Sequence, residues 1–295
     1  MTRAGSSATR APGAALLFLA PFLFVYTVFL VFPLFKGVWI SLHDWELAGG
    51  YREYIGFLNY EDLWFDKLFW RTVRNTLLFV AMTVPTMTLL ALVLALAVHG
   101  PGRVKSVLRS VFFLSSVFSV SVVTLIWSMV LSADQGLFVP LWDAMGIKPI
   151  NFLGHPTLSM PSIAVATLWW GVGLPMALFL AALGQIPQEL YEAAELDHAP
   201  RFTVLWRITL PSIRHTVLLV VVLQIIGQFQ IFGQVHLMTQ GGPANRTRTM
   251  VQYIYDTGFR DWQVGYASAM AMALFVLMFG FSMLQLWLGR KGDDA

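Results

Sequence analysis

Cysteine is absent from this 295-residue chain, so disulfides, thiolate nucleophiles and thiolate metal sites are excluded. Charge is scarce as well. Only 12% of residues are Asp, Glu, Lys or Arg, against about 25% in a soluble domain, too few to clothe a globule of this size in polar surface. No G-x-x-x-x-G-K-[ST] loop occurs, so any ATP used must be hydrolysed by another subunit. The histidines (His43, His99, His155, His198, His215, His236) show no metal-ligand spacing, and no Ser–His–Asp arrangement can be assembled. An enzyme is therefore the least supported class.

Apolar residues dominate instead, at 57% with a mean hydropathy of +0.67. They must face something other than water, and lipid meets that need. The pI of 9.3 invites a nucleic-acid partner, but the net charge is only +3 and the 19 Lys and Arg form no stripe. No nucleic acid is expected.

A helix crossing about 30 Å of hydrocarbon needs roughly 20 apolar residues at about 1.5 Å each. Six stretches meet this: 14–32, 76–98, 107–131, 163–183, 216–235 and 265–288. Apart from Arg109, at the start of the third, they hold no Lys, Arg, Asp or Glu, as expected where a buried charge costs about 2.5–3.5 kcal/mol. The expected fold is an all-α integral membrane protein of about six transmembrane helices. It is one domain over 1–295, with a six-helix core at 14–288 and tails at 1–13 and 289–295.

The first stretch follows Arg3 and Arg10, as a signal peptide would, but its apolar run is too long for one and no small-residue cleavage site follows. A retained span ending near Phe32-Pro33-Leu34-Phe35-Lys36 is expected. Lys36 to Asn75, with Trp39, Trp45, Tyr51, Tyr54, Trp64 and Trp70, suits a membrane-surface or partner-facing connector. An even number of spans puts both termini on one side with connectors 99–106 and 184–215. The short basic connector (Arg103, Lys105, beside Arg109) and the termini favour that side as cytoplasmic.

The most informative connector runs from Gln185 to Pro211. Pro187 suits a first helical turn, with Glu189 near its positive end. Leu190, Ala193, Ala194 and Asp197 follow i, i+3, i+4, i+7 spacing, and Glu189, Glu192 and Glu195 line a neighbouring face. Asp197-His198-Ala199-Pro200 reads as a turn. A second short helix follows, placing Phe202, Leu205, Trp206 and Thr209 on one side and stopping at Pro211. By pattern alone this is equally a solvated amphipathic linker between two spans.

Glu192-Ala193-Ala194-x-x-Asp197-x-Ala199 followed by Ile208-x-Leu210-Pro211 resembles the EAA loop of ABC importer permeases. Phe232 to Thr239, Gly241-Gly242-Pro243, Tyr253-Ile254-Tyr255 and Gly265 to Ala269 resemble the carbohydrate branch of that family, in particular the first permease of maltose and glycerol-3-phosphate type importers. The resemblance covers nearly the whole chain and is most specific from 185 to 275. It implies a permease of the bacterial cytoplasmic membrane with both termini cytoplasmic. The implied partners are a second homologous permease, two cytoplasmic ATPase subunits and an extracytoplasmic sugar-binding protein or lipoprotein. ATP and Mg would be bound by the ATPases, with no cofactor on this chain.

The same resemblance makes 185–211 a cytoplasmic coupling loop, with Glu192, Ala193, Ala194, Asp197, His198, Ala199, Leu210 and Pro211 docking on the ATPase. Two residues depart from the family pattern: His198 stands where Gly is usual, and Leu205 where Phe is usual. Gly permits a left-handed backbone that His tolerates less freely, so a differently shaped turn is expected.

In the fifth stretch Gln224 and Gln228 lie one turn apart on one face, and Gln230 and Gln234 on another. Amides facing lipid would lack partners, so they meet other helices or a wet cavity. Interhelical hydrogen bonding satisfies the pattern too. The resemblance places Gln224, Gln228, Thr167 and Gly171 on the sugar path, with Trp170 or Trp169 to stack on a sugar face. Amides offer donor and acceptor to hydroxyls. Gly265, Ala267, Ala269, Ala271 and Ala273 read as close helix packing.

A neutral sugar is the expected cargo, because the spans offer no cation at mid-membrane. The alternatives are a glycerol-3-phosphate type permease and a secondary transporter not powered by ATP. The second lacks the intramembrane carboxylates or histidines that proton coupling uses, and no internal repeat is evident.

Overall fold

In the computed structural model, residues 12–50 and 52–291 are described. Of the expected tails, 1–11 (with Arg3 and Arg10) and 292–295 lie outside the described residues, as does Tyr51 of the connector. The described chain is helical apart from one two-stranded hairpin and its turns.

Three helices are long and apolar enough to cross a membrane unbroken: Phe18–Ser41, Lys67–Val98 and Val264–Gln285. The other expected spans are bent pairs. Arg103–Ser115 turns through 98° into Val120–Val130, Ser159–Gly171 through 47° into Gly173–Leu183, and Arg201–Ser212 through 66° into Arg214–Phe229. About six membrane passages remain, but half are broken.

The chain forms two compact units. The first holds residues up to Trp64 and Thr257–Met272. Its first helix does not end near Phe32 as expected; it continues to Ser41. A π turn at Thr27–Val31, closed by Phe32 N–H on the Thr27 carbonyl, precedes Pro33 at the next helical start. The wider turn reorganises the hydrogen bonding where proline has no N–H to give. None of this helix's apolar window is buried, as suits a helix bathed in lipid.

Strands His43–Trp45 and Arg52–Tyr54 pair antiparallel, with His43 opposite Tyr54. Asn59, buried, donates its amide to the Ser41 and His43 carbonyls and ties the following helix (Leu58–Phe65) to this hairpin. Gly265 abuts the hairpin: a Cβ there would lie 3.0 Å from Trp45 N and closer still to the His43 carbonyl. Its small size thus serves strand contact and not the helix–helix packing expected of it.

The second unit holds Phe65–Asp256 and the residues from Ala273 on. Helix Lys67–Val98 is its axis, starting well before the expected 76 because Asp66 caps it through Leu68 N–H at 2.7 Å. Its inward stripe (Phe79, Thr83, Met87, Ala91, Ala95, Val98) recurs at three- and four-residue steps. Met87, Ala91 and Ala95 pack with Met176, Phe179 and Ile213. Phe79 packs nearer the other end with Met160, Ile163, Ile231 and Val235. Buried Thr72, Thr76 and Thr83 return their hydroxyls to their own helix's carbonyls, so no donor is stranded.

The expected span 107–131 fails as one helix because Ser115, Ser116 and Ser119 offer competing local bonds. Ser115 and Ser116 bond back to Phe112 and Phe113 carbonyls, and Ser119 caps the next helix at Val122 N–H. The expected span 216–235 also fails: its helix stops at Phe229, and a short helix restarts at Gly233–Met238.

Candidate functional site

That second break creates a cavity. Helix Arg214–Phe229 ends just past Gly227-Gln228, Gln230 and Ile231 keep only tighter bonds to the Gly227 and Gln228 carbonyls, and Gly233 begins the short helix. Around this gap, Thr167, Trp170 and Gly171 from helix Ser159–Gly171 and Val120 enclose about 440 Å³. A Cβ on Gly233 would sit 2.7 Å from Val120 Cγ2, so only glycine lets the two elements meet here.

Of the five residues expected on the sugar path, the fold brings Gln228, Thr167, Gly171 and Trp170 together. Gln224 does not line the cavity; it accepts Gln228 Nε2–H at 3.1 Å through Oε1. Gln228 is buried, and that bond leaves its Oε1 and second N–H for another partner. Trp170 donates Nε1–H to the Phe118 carbonyl at 3.0 Å, which fixes the indole and leaves its ring as contact surface. Thr167 donates to the Ile163 carbonyl at 2.9 Å and retains acceptor capacity. Trp169 is exposed and packs edge-on against Trp127, outside this lining.

Gln230 and Gln234, expected as a helical pair on another face, are separated by the break, and both line the cavity with Phe232. The sequence pattern, read as a continuous helix, put them on a different face from Gln228 and so did not bring them to the same cavity. Gly227 and Gly233 bracket the break and were the available signal, since glycine inside an apolar helix weakens it. No ionisable side chain lines the cavity.

The connector forms helix Gln188–Leu196, then Arg201–Val204, a π turn Leu205–Thr209 and Leu210–Ser212. The second part does not stop at Pro211; the π turn before it relieves the missing proline donor, and the chain bends after Ser212. Between the two helices, Ala199 N–H bonds the Ala194 carbonyl at 2.9 Å and His198 N–H bonds the Glu195 carbonyl at 3.0 Å. This is the helix-ending arrangement that places one residue in the left-handed region. That residue is His198, with φ +52°. The turn is thus built despite histidine replacing glycine.

Glu189, Glu192, Ala193, Glu195, Asp197, His198 and Pro211 are exposed, Ala199 and Leu210 half-buried, and Ala194 is turned inward. Gln188 Nε2 donates to Glu192 Oε1 at 2.9 Å, and the Tyr191 hydroxyl meets Thr209 Oγ1 at 3.2 Å, tying the two short helices together. Thr209 is buried, so it does not share a side with Phe202 and Trp206 as expected. Those two rings are exposed 5.9 Å apart, because the π turn rotates the register between them.

An acidic, aromatic-edged helix pair joined to a largely apolar cavity edged by amides, inside a bundle of broken spans, suits a transport subunit. Over residues 67–292 the chain matches the family of binding-protein-dependent transport system inner membrane components. It belongs to that family. The lactose transport permease LacF of Rhizobium radiobacter is 31% identical over 281 residues, 93% of each chain. The multiple sugar-binding transport permease MsmF of Streptococcus mutans is 30% identical over 91% of this chain and 92% of its own. The trehalose/maltose permease MalF of Thermococcus litoralis is 29% identical over 94% of each. Among solved structures, a bacterial ABC transporter that imports the acidic polysaccharide alginate superposes with a TM-score of 0.81 over 95% of this chain and 96% of its own, at 22% identity. The chain is a multi-pass ABC permease subunit and not an enzyme.

Proposed function

We propose that this permease carries a neutral mono- or oligosaccharide across the bacterial cytoplasmic membrane. A second permease completes the path, and two ATPases, which bind ATP and Mg, drive it. An extracytoplasmic binding protein or lipoprotein delivers the sugar. Both termini and connector 185–211 are cytoplasmic on this reading, and the whole chain acts as one permease domain.

One observation carries the reading. The exposed helix Gln188–Leu196 connects through the Asp197–Pro200 turn, Arg201–Ser212 and a 66° bend to helix Arg214–Phe229, whose end lines the amide-edged cavity. Movement imposed on the acidic helix by an ATPase therefore has a direct helical route to Gln228. A lining of amides, one indole face and no charge suits sugar hydroxyls and a sugar ring, and the relatives named for lactose and for trehalose/maltose support the same cargo class.

The test is reconstitution of the assembly in lipid with a panel of binding-protein-delivered sugars. A neutral sugar should stimulate ATP hydrolysis and accumulate in the lumen. Transport by the purified chain alone, or stimulation confined to phosphorylated or acidic sugars, would overturn the proposal.

A further inference from the structure

A second cavity, of about 280 Å³, opens beside the early turns of helix Lys67–Val98. Arg71, Arg74 and Arg246 stand around it, all three exposed, and no acidic residue lines it. Their side chains make no hydrogen bond or ion pair among the described residues. Arg246 is held there by construction. Buried Asn75 donates to the Asn245 carbonyl at 2.8 Å and the Arg248 carbonyl at 2.9 Å, fastening the loop on either side of it. Three guanidinium groups gathered around one space repel each other unless an anion lies between them.

The rest of the lining is mostly apolar, with Asn75 and Thr157 as its polar members. Leu78, Met82, Met160 and Pro161 continue the cavity away from the arginines, and Met82 lies about 12 Å further along the helix than Arg74. The cavity is thus cationic at one end and apolar at the other, along a helix that crosses the membrane. Residues 75–98, after Arg74, hold no Lys, Arg, Asp or Glu and span about 36 Å, so the arginines sit where lipid headgroups begin.

This cavity is also separate from the one at Gln228. The two share no lining residue: Met160 of the cluster with Phe79, Ile163 and Val235 borders this cavity, and Ile231 of the same cluster borders the other. A ligand here is off the path of the cargo.

We propose that this cavity is a binding site for an anionic phospholipid, its phosphate held by Arg71, Arg74 and Arg246 and an acyl chain laid along Leu78 and Met82. Guanidinium groups pair with phosphate oxygens through paired N–H donors, and the apolar wall accounts for the half of the cavity that a small anion would leave uncovered. The proposal depends on the chain spanning a membrane and not on which sugar it carries.

The experiment uses the full chain, delipidated in neutral detergent, with thermal unfolding followed as phosphatidylglycerol, phosphatidylcholine or inorganic phosphate is added. Phosphatidylglycerol should raise the unfolding temperature by several degrees and stay bound in native mass spectra, while phosphatidylcholine and phosphate should do neither. The variant Arg71→Gln/Arg74→Gln/Arg246→Gln should lose the rise, and the corresponding triple Lys variant should keep part of it. Should the triple Gln variant fail to fold, Arg246→Gln alone must cut the rise by at least half. An equal rise with phosphatidylcholine, a rise with phosphate alone, or an undiminished phosphatidylglycerol effect in the Gln variants would overturn the proposal.

Discussion

Gln228 donates an amide hydrogen to Gln224 across one helical turn, at 3.1 Å, and of the two only Gln228 lines the cavity. Under the proposed function, Gln224 would orient its neighbour's amide while Gln228 faces the sugar. Replacing Gln228 with Leu removes hydrogen bonds worth about 0.5–1.5 kcal/mol each, so apparent sugar affinity should fall about tenfold. Gln224→Leu should cost less. The concentration dependence of sugar-stimulated ATP hydrolysis measures both, and equal effects would contradict the division of roles.

Glu192 is exposed and bonded only by Gln188 among the described residues. Glu192→Ala should leave the chain's thermal stability unchanged within about 0.5 kcal/mol while abolishing sugar-stimulated ATP hydrolysis. Retained stimulation in reconstituted assemblies would remove this residue from ATPase coupling.

His198 sits at φ +52°, where a β-branched side chain is strained. His198→Val should destabilise the turn by about 1–2 kcal/mol, whereas His198→Gly should be tolerated. Limited proteolysis of the connector and thermal unfolding would rank the three proteins, with Val the most labile.

Two neighbouring glycines should behave differently. A Cβ at Gly171 meets only the mobile end of Met87, at 2.9 Å, but one at Gly173 meets the backbone of Phe112 and Phe113, at 2.8 and 2.9 Å. Gly171→Ala should fold normally, and Gly173→Ala should cost about 1–3 kcal/mol through overpacking. Yield of folded protein and unfolding temperature would distinguish them.

The first helix of the acidic connector and the turn after it were legible, because Pro187, the alanine spacing and Asp197–Pro200 are local signals obeying local rules; the π turn that rotates Thr209 away from Phe202 and Trp206 was not. The number of membrane passages was legible too, from apolar run lengths. What run length conceals is where a run breaks. Ser115 to Ser119 and Gly227 to Gly233 lie inside runs free of charge and long enough to read as single spans, yet the first offers competing hydroxyl bonds and the second carries a glycine at each end. Gln230 and Gln234 were consequently assigned to the wrong face. Pairing of the connector's two short helices through Tyr191 and Thr209 is a tertiary contact with no sequence period behind it.

Ile213, only 1% exposed, sits at the 66° bend between Arg201–Ser212 and Arg214–Phe229. Leu210 before it and Val217 and Val220 after it pack in the same cluster, so the two arms meet at a point fixed in the core. The longer arm is about 24 Å, so a swing of about 10° displaces its far tip by about 4 Å, comparable to the width of a sugar ring. Under the proposed function, a modest tilt at the connector would be enough to open or close the mouth of the cavity without unfolding either helix.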